Sequence, residues 1–369
     1  MATATNPVVT QYSPTTVQQP KLTSIKKLAE SSSEISFIPS AYKYKSGNPQ
    51  DEAILLDDDE EAKIPIVDFS LLTSGTPEQR SKAISDLGKA CEDLGFFMVI
   101  NHGIPEELMK EVLDGCIRFY DLSEEEKHEY EGKHVLDPIR CGTSFNTSVE
   151  NVLYWRDFLK VFVYPEFHFP NKPAGFSELS SQFCKKSREV TWELLKGVSE
   201  SLGLEADYLD KALNVESEGL QIFIANLYPP CPQPELALGM PPHSDHGLLT
   251  LLIQNGITGL QVQRRNGKWV NVNAIPNSLL FNTGDHLEIF SNGKYRSNIH
   301  RAVLNNNATR ISVVVPIGPS LNVVVNPASQ LVETGNHPPA YVGMKYKDYL
   351  ELHQSSRLDG KSILDRVRL

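Results

Sequence analysis

Apolar and polar positions follow two different rhythms along the chain. Between residues 64 and about 210, apolar side chains recur at helical spacing between a few extended runs; from about Ile222 onward, short extended runs follow one another closely. "IPIVDFS" (64–70) alternates like a first strand. In "TPEQRSKAISDLGKACEDLG", Thr76 reads as an N-cap, Pro77 as the first turn, and Ile84, Leu87, Ala90 and Leu94 as one apolar face closing at Gly95. "FFMVINHG" reads as a buried strand. "PEELMKEVLDGCIRFYDLS" repeats the helix start with Pro105, and a long helix is predicted from about Ser177 to Leu202.

The second half reads as strands: "IFIANLY", "LLTLLIQ", "GLQVQR", "KWVNVN", "SLLFNTG", "LEIFSNG", "SNIHRAVL", "RISVVVPIG" and "LNVVV". Turn formers such as Asn255-Gly256, Asn266-Gly267, Pro276-Asn277 and Asn292-Gly293 separate many of them. Strands at this spacing predict a double-sheet jelly roll or barrel, and "YKDYLELHQSS" a C-terminal helix. The expected fold is mainly β with helices (α+β): a double-stranded β-helix core preceded by a helical and strand region. The expected organisation is a mobile tail over 1–35, a helix-rich region over 36–210, a jelly roll over 211–325 and a helical segment over 326–369. The tail is rich in Ser, Thr, Pro and Gln, with a short helix expected around "LTSIKKLAESS"; the acidic run "LDDDEEAK" (56–63) reads as a solvated loop.

Composition narrows the partners. With 40% hydrophobic and 22% charged residues in 369, the chain can build a sizeable core. A formal net charge of −11 and the lack of a basic stripe argue against nucleic acid. No apolar run is long enough for a bilayer, and "MATATNPVVTQYSP" does not read as a signal peptide, so a soluble, cytoplasmic, monomeric protein is expected. The five cysteines, Cys91, Cys116, Cys141, Cys184 and Cys231, form no CxxC and read as structural thiols.

Chemistry gathers in "PPHSDHGLLTLL" (241–252). Alternation puts His243 and Asp245 on one side of an extended segment and His246 on the other, and "SNIHRAV" offers His300 on a later strand. Two imidazoles and a carboxylate leave one face of a metal open, as in non-haem Fe(II) oxygenases, although three such ligands can also hold zinc. Arg310 and Ser312 point the same way on "RISVVV" and suit a carboxylate, while Asn226 and Tyr228 share one face of "IANLY". A dicarboxylic keto acid is the implied ligand.

The segments "NLYPPCPQPE", "HSDHGLLTLL", "GLQVQ", "FNTGDHLEIFSNGKYRSNIHRAV" and "RISVVV", with "IPIVDFS" and "CEDLGFFMVINHGIP", resemble the motifs of plant 2-oxoglutarate- and Fe(II)-dependent dioxygenases of the flavonoid-oxidase-like class. The resemblance runs from about residue 24 to the C-terminus. It implies Fe(II) on His243, Asp245 and His300. It further implies 2-oxoglutarate held at its far carboxylate by Arg310 and Ser312, with Tyr228 and Asn226 alongside, O2 as oxidant and ascorbate as reductant. 2-Oxoglutarate would be decarboxylated to succinate while a small plant specialised metabolite or hormone is hydroxylated, desaturated, demethylated or ring-closed.

Phe145, Ile224 and Pro316 occupy places that line the pocket in relatives, with ordinary core packing as the alternative for each. Where some flavonoid-acting relatives carry a basic residue two before the Asn, this chain has Ile224, which suggests a substrate without an acid at that point. His102, His128, His134, His168, His286 and His337 read as structural, Asp285 as a turn at a strand end, and Arg156 with Asp157 as an internal ion pair or helix start. Two rivals stay open: an ascorbate-dependent, ethylene-forming type of oxidase, and a catalytically silent jelly-roll binding protein.

Overall fold

The computed structural model describes residues 24–31, 37–44, 63–333, 338–358 and 360–369. Most of the expected tail, most of the acidic run and His337 lie outside them. Two sheets face each other. The major sheet has the order β1 (Ile66–Asp68), β2 (Phe96–Ile100), β10 (Leu279–Thr283), β7 (Leu249–Gln254), β12 (Arg310–Ser320), β5 (Gly219–Tyr228), β4 (Asp157–Tyr164), β3 (Ile139–Thr143). The minor sheet runs β6 (Met240–His243), β11 (His300–Ala302), β8 (Leu260–Gln263), β9 (Trp269–Asn271). A two-stranded ribbon, β13 (Val324–Val325) with β14 (Met344–Lys345), stands apart. The jelly roll is thus four strands against four, and β1 to β4 extend the major sheet at both edges.

Period-two alternation sorts the major sheet. On β5, Phe223, Ala225 and Leu227 join the main core beneath the helices Pro77–Asp93, Glu106–Tyr120 and Phe176–Ser201, whose Leu87, Val112 and Leu194 are fully buried against it. Ile224, Asn226 and Tyr228 turn the other way, into the space between the sheets. The helix Pro77–Asp93 starts as the sequence requires. Thr76 Oγ1 accepts from Gln79 N at 3.3 Å, Gln79 Oε1 accepts from Thr76 N at 2.9 Å, and the chain leaves through Gly95 at φ +68°, a conformation that favours glycine. The predicted turns at Gly256, Gly267, Asn277, Asn292 and Gly293 all have positive φ.

Three expectations are corrected. "LEIFSNG" is not a strand: Asp285–Phe290 form a short helix with all six residues buried, and an apolar run this short carries no period that separates the two. Asp285 therefore opens that helix, its Oδ2 accepting from Tyr349 Oη at 2.7 Å. Arg156 and Asp157 neither pair nor start a helix; they lie at the entry of β4 with distant partners. Asp157 accepts from the backbone of Ile25 and Lys26, both at 2.9 Å, from Ser24 Oγ at 2.8 Å and from Thr143 Oγ1 at 2.6 Å, so it holds the start of the helix Ile25–Ser31 against the sheet. Among the described residues, no helix is long and apolar enough to cross a membrane.

Candidate active site

Antiparallel pairing of β6 with β11 puts His243 opposite His300, and the loop leaving β6 brings Asp245 beside them. Asp245 Oδ1 lies 3.9 Å from His243 Nε2 and 3.7 Å from His300 Nε2, and one donor atom from each residue fits within 4.8 Å of the others. Every other polar atom of the three is tied away from that point. His243 Nδ1 meets Pro241 O at 2.8 Å and His300 Nδ1 meets Asn298 O at 3.2 Å, so the imidazole protons go to carbonyls and both Nε2 lone pairs face inward. Asn282 Nδ2 donates to Asp245 Oδ2 at 2.8 Å, leaving Oδ1 for a cation.

Protonation suits a metal as well. Burial and the neighbouring His300 pull the His243 imidazole down to about 3. Burial pushes the Asp245 carboxyl up, but His300, His243 and the Asn282 amide outweigh it and hold it well below the usual range. At neutral pH the site offers a neutral imidazole at His243 and a carboxylate at Asp245, the forms a divalent transition-metal ion takes.

His246, the third polar residue of the "HSDH" stretch, stands outside this cluster. Its Nδ1 lies 2.9 Å from Tyr346 Oη, its carbonyl receives the His286 ring, and it packs 5.4 Å from the His353 ring, although its side chain still forms part of the cavity wall. His286 is structural as expected, and His102 likewise bridges Asn277 O and Ile104 N.

The triad opens into a cavity of about 380 Å³ between the sheets, within the range of small-molecule sites. Arg310 and Ser312 lie side by side in its wall, both almost fully buried, Arg310 across from Tyr228 and Ser312 across from Asn226. The Arg310 guanidinium stands 5.1 Å above the Tyr228 ring and is held in place by Gln254 Oε1, which accepts from Nε at 3.2 Å and from a terminal nitrogen at 2.8 Å. Asn226 Oδ1 accepts from Arg156 at 3.0 Å, so its amide is fixed in orientation. Phe145, Ile224 and Pro316 all line the same cavity.

Three residues of this site escaped the sequence reading. Gln254 shares an alternating face with Thr250 and Leu252 on β7, Asn282 is the last residue but one of β10, and Lys160 follows Phe158 on the inward face of β4. In each case alternation alone would have given the face, but not the fact that this face borders a cavity.

The chain matches the model of the 2OG-Fe(II) oxygenase superfamily over residues 219–319, and that of the non-haem dioxygenase in morphine synthesis N-terminal domain over residues 64–180. It is 46% identical to 2-oxoglutarate-dependent dioxygenase 19 of Oryza sativa subsp. japonica, covering 83% of this chain and 90% of that one. It is 33% identical to thebaine 6-O-demethylase of Papaver somniferum, covering 95% and 96%. The crystal structure of JOX2 in complex with 2OG, Fe and JA superposes with a TM-score of 0.82 at 26% identity, over 95% of this chain and 98% of that one. The two-sheet jelly roll, the convergent donor atoms and these similarities agree: the chain belongs to the 2-oxoglutarate- and Fe(II)-dependent oxygenases and is a dioxygenase of that superfamily.

Proposed function

We propose that the protein oxidises a small plant specialised metabolite or hormone, with Fe(II) held by His243, Asp245 and His300 and the far carboxylate of 2-oxoglutarate held by Arg310 and Ser312. The observation that carries this reading is the convergence of two Nε2 atoms and one carboxylate oxygen, all their other polar atoms being satisfied elsewhere. The donor set fits the metal: two imidazoles and a carboxylate occupy one side and leave the side toward the cavity open. When bound, Fe(II) with 2-oxoglutarate and O2 supplies the oxidising equivalent, 2-oxoglutarate leaving as succinate and CO2.

The chain's own work is positional. Arg310, oriented by Gln254, offers a fixed fork to a carboxylate, and Ser312 adds a hydroxyl on the same face. Tyr228 and Asn226 border the keto acid along β5. Phe145, Ile224 and Pro316 border the substrate and keep bulk water from the reacting carbon, so the C–H nearest the metal is the one attacked. Ascorbate serves as reductant, and the enzyme acts as a cytoplasmic monomer. Relatives described as a flavanone 3-dioxygenase and a thebaine 6-O-demethylase support both hydroxylation and demethylation as outcomes for this scaffold.

Succinate formation from 2-oxoglutarate, measured across a panel of plant phenolics, terpenoids and alkaloids with mass spectrometry of the products, tests the reading. His243→Ala is expected to lose Fe(II) binding by calorimetry together with substrate-dependent succinate. Product formed without 2-oxoglutarate would overturn the cofactor assignment, and full activity in His243→Ala would overturn the metal site.

A further inference from the structure

Although the whole chain is acidic, the cavity wall is not. Lys133, Arg140, Arg156, Lys160, Arg301 and Arg310 line it, and among the described residues Asp245 is its one carboxylate. Most of this positive charge already has a use, Arg140 included, one of whose terminal nitrogens donates to Val135 O at 3.5 Å. Arg310 rests on Gln254, Arg301 on Gln261 and the Trp269 ring, and Arg156 on Ser144 O and Asn226.

Lys160 differs. It is 6% exposed, its side chain enters the cavity, and among the described residues no group hydrogen-bonds its ammonium. Its cross-strand neighbour on β3 is Arg140, a second cation, and on β5 Ile224, which is apolar. An ammonium that faces the cavity from a buried side chain, with no acceptor from the described residues and a guanidinium on the next strand, is costly to keep charged, and a bound anion would offset that cost.

We infer that the substrate carries a carboxylate and that Lys160, flanked by Arg140, receives it. This rests on the oxygenase reading of the cavity. The keto acid co-substrate is not the anion concerned. Lys160 pairs with Ile224, which pairs with Val314, so it stands two strands away from Arg310 and Ser312, roughly 10 Å across the sheet. Two cations side by side suit a group with two oxygens better than a single phenolate oxygen. The small cavity, shared with 2-oxoglutarate, limits that acid to a compact molecule. The apolar Ile224 therefore does not make the pocket neutral: the cationic handle comes from the adjoining strand, directly opposite it.

Matched acids and amides test this: cinnamic acid and cinnamamide, salicylic acid and salicylamide, indole-3-acetic acid and its amide. Each is titrated by calorimetry into the Fe(II)- and 2-oxoglutarate-loaded protein under nitrogen. The wild type is expected to bind at least one acid about tenfold or more tighter than its amide, the effect of one additional charge-assisted contact. Lys160→Met is expected to bring that ratio close to one, and Lys160→Arg to restore most of it, with 2-oxoglutarate titrated into each variant to check that its site is folded. An acid preference absent from the whole panel, or one that survives in Lys160→Met, overturns the proposal. Succinate formation by the wild type, followed separately, reports on the oxygenase reading, so the two can fail independently.

Discussion

Replacing Lys160 by methionine should make the protein more stable while removing its preference for acids. The side chain is almost fully buried, and burial, then the neighbouring Arg140 and Arg156, pull its ammonium down from 10.5 to about 7. Each tenfold change in proton affinity is worth about 1.36 kcal/mol, which sets a ceiling of roughly 5 kcal/mol for the cost of keeping this lysine charged in the folded state. Water in the cavity relieves part of it, so a gain of about 1 to 3 kcal/mol is expected at pH 7. Methionine keeps most of the apolar stem, and no hydrogen bond is lost.

The sign of the pH dependence follows from the direction of the shift. Between about 7 and 10.5 the unfolded chain binds a proton at this lysine that the folded chain does not, so wild-type stability rises with pH across that window. The advantage of Lys160→Met is therefore largest at pH 7 and below, and fades toward pH 10. Other groups on this wall do not mimic the effect. The imidazole of His246 is held well below its usual value and that of His353 at about 4, so both are neutral throughout. Thermal unfolding of metal-free wild type and variant, at pH 7 and pH 9.5, measures it; about 2 °C per kcal/mol is expected for a chain of this length. A variant less stable than wild type at pH 7, or a gap equal at both pH values, would refute the reasoning, since either means that the ammonium has a partner.

Asn282→Leu frees the second oxygen of Asp245 and should weaken Fe(II) binding about 10- to 100-fold by calorimetry, the usual effect of losing a group that orients a ligand. Gln254→Leu leaves Arg310 in place without its acceptor, so KM for 2-oxoglutarate should rise about threefold to tenfold with kcat little changed in steady-state succinate assays. Asp157→Ala strands the backbone donors of Ile25 and Lys26 and two hydroxyls; about 2 to 3 kcal/mol of stability in a denaturant titration is the expected loss, with earlier proteolysis of the segment around the helix Ile25–Ser31.

The residues brought together at the site differ in how readable they were. His243, Asp245 and His300 interrupt apolar strand texture with groups that have no packing role there, and two of them share a short segment, so spacing and type both pointed to one place. Arg310 and Ser312 were legible for a related reason, two polar side chains at period two in a run of valines. Gln254, Asn282 and Lys160 are isolated polar positions in strands that are mostly apolar. Nothing local distinguishes a residue facing a cavity from one capped by a distant side chain, because that depends on which strands become neighbours. Arg156 and Asp157 show the same limit. Adjacent opposite charges looked like a pair, but successive side chains on a strand point to opposite faces, and each found its partners elsewhere.

Strand order also divides the labour within the cavity. The proposed metal ligands and the Arg310–Ser312 pair stand on β6, β11 and β12 or on the loop after β6, all within the four-on-four jelly roll. Lys160 and Arg140 stand on β4 and β3, strands contributed by the earlier part of the chain and added at one edge of the major sheet. An edge pair can change its inward side chains without disturbing the register of the strands that carry the proposed metal ligands, because among the described residues β5 is the one jelly-roll strand it pairs with. Within residues 139–164, then, substitutions at inward positions should change which acid is bound and leave metal affinity as it is. The converse is expected at Asn282 and Gln254, which sit among the core strands and hold Asp245 and Arg310: substitutions there should act on metal and 2-oxoglutarate affinity.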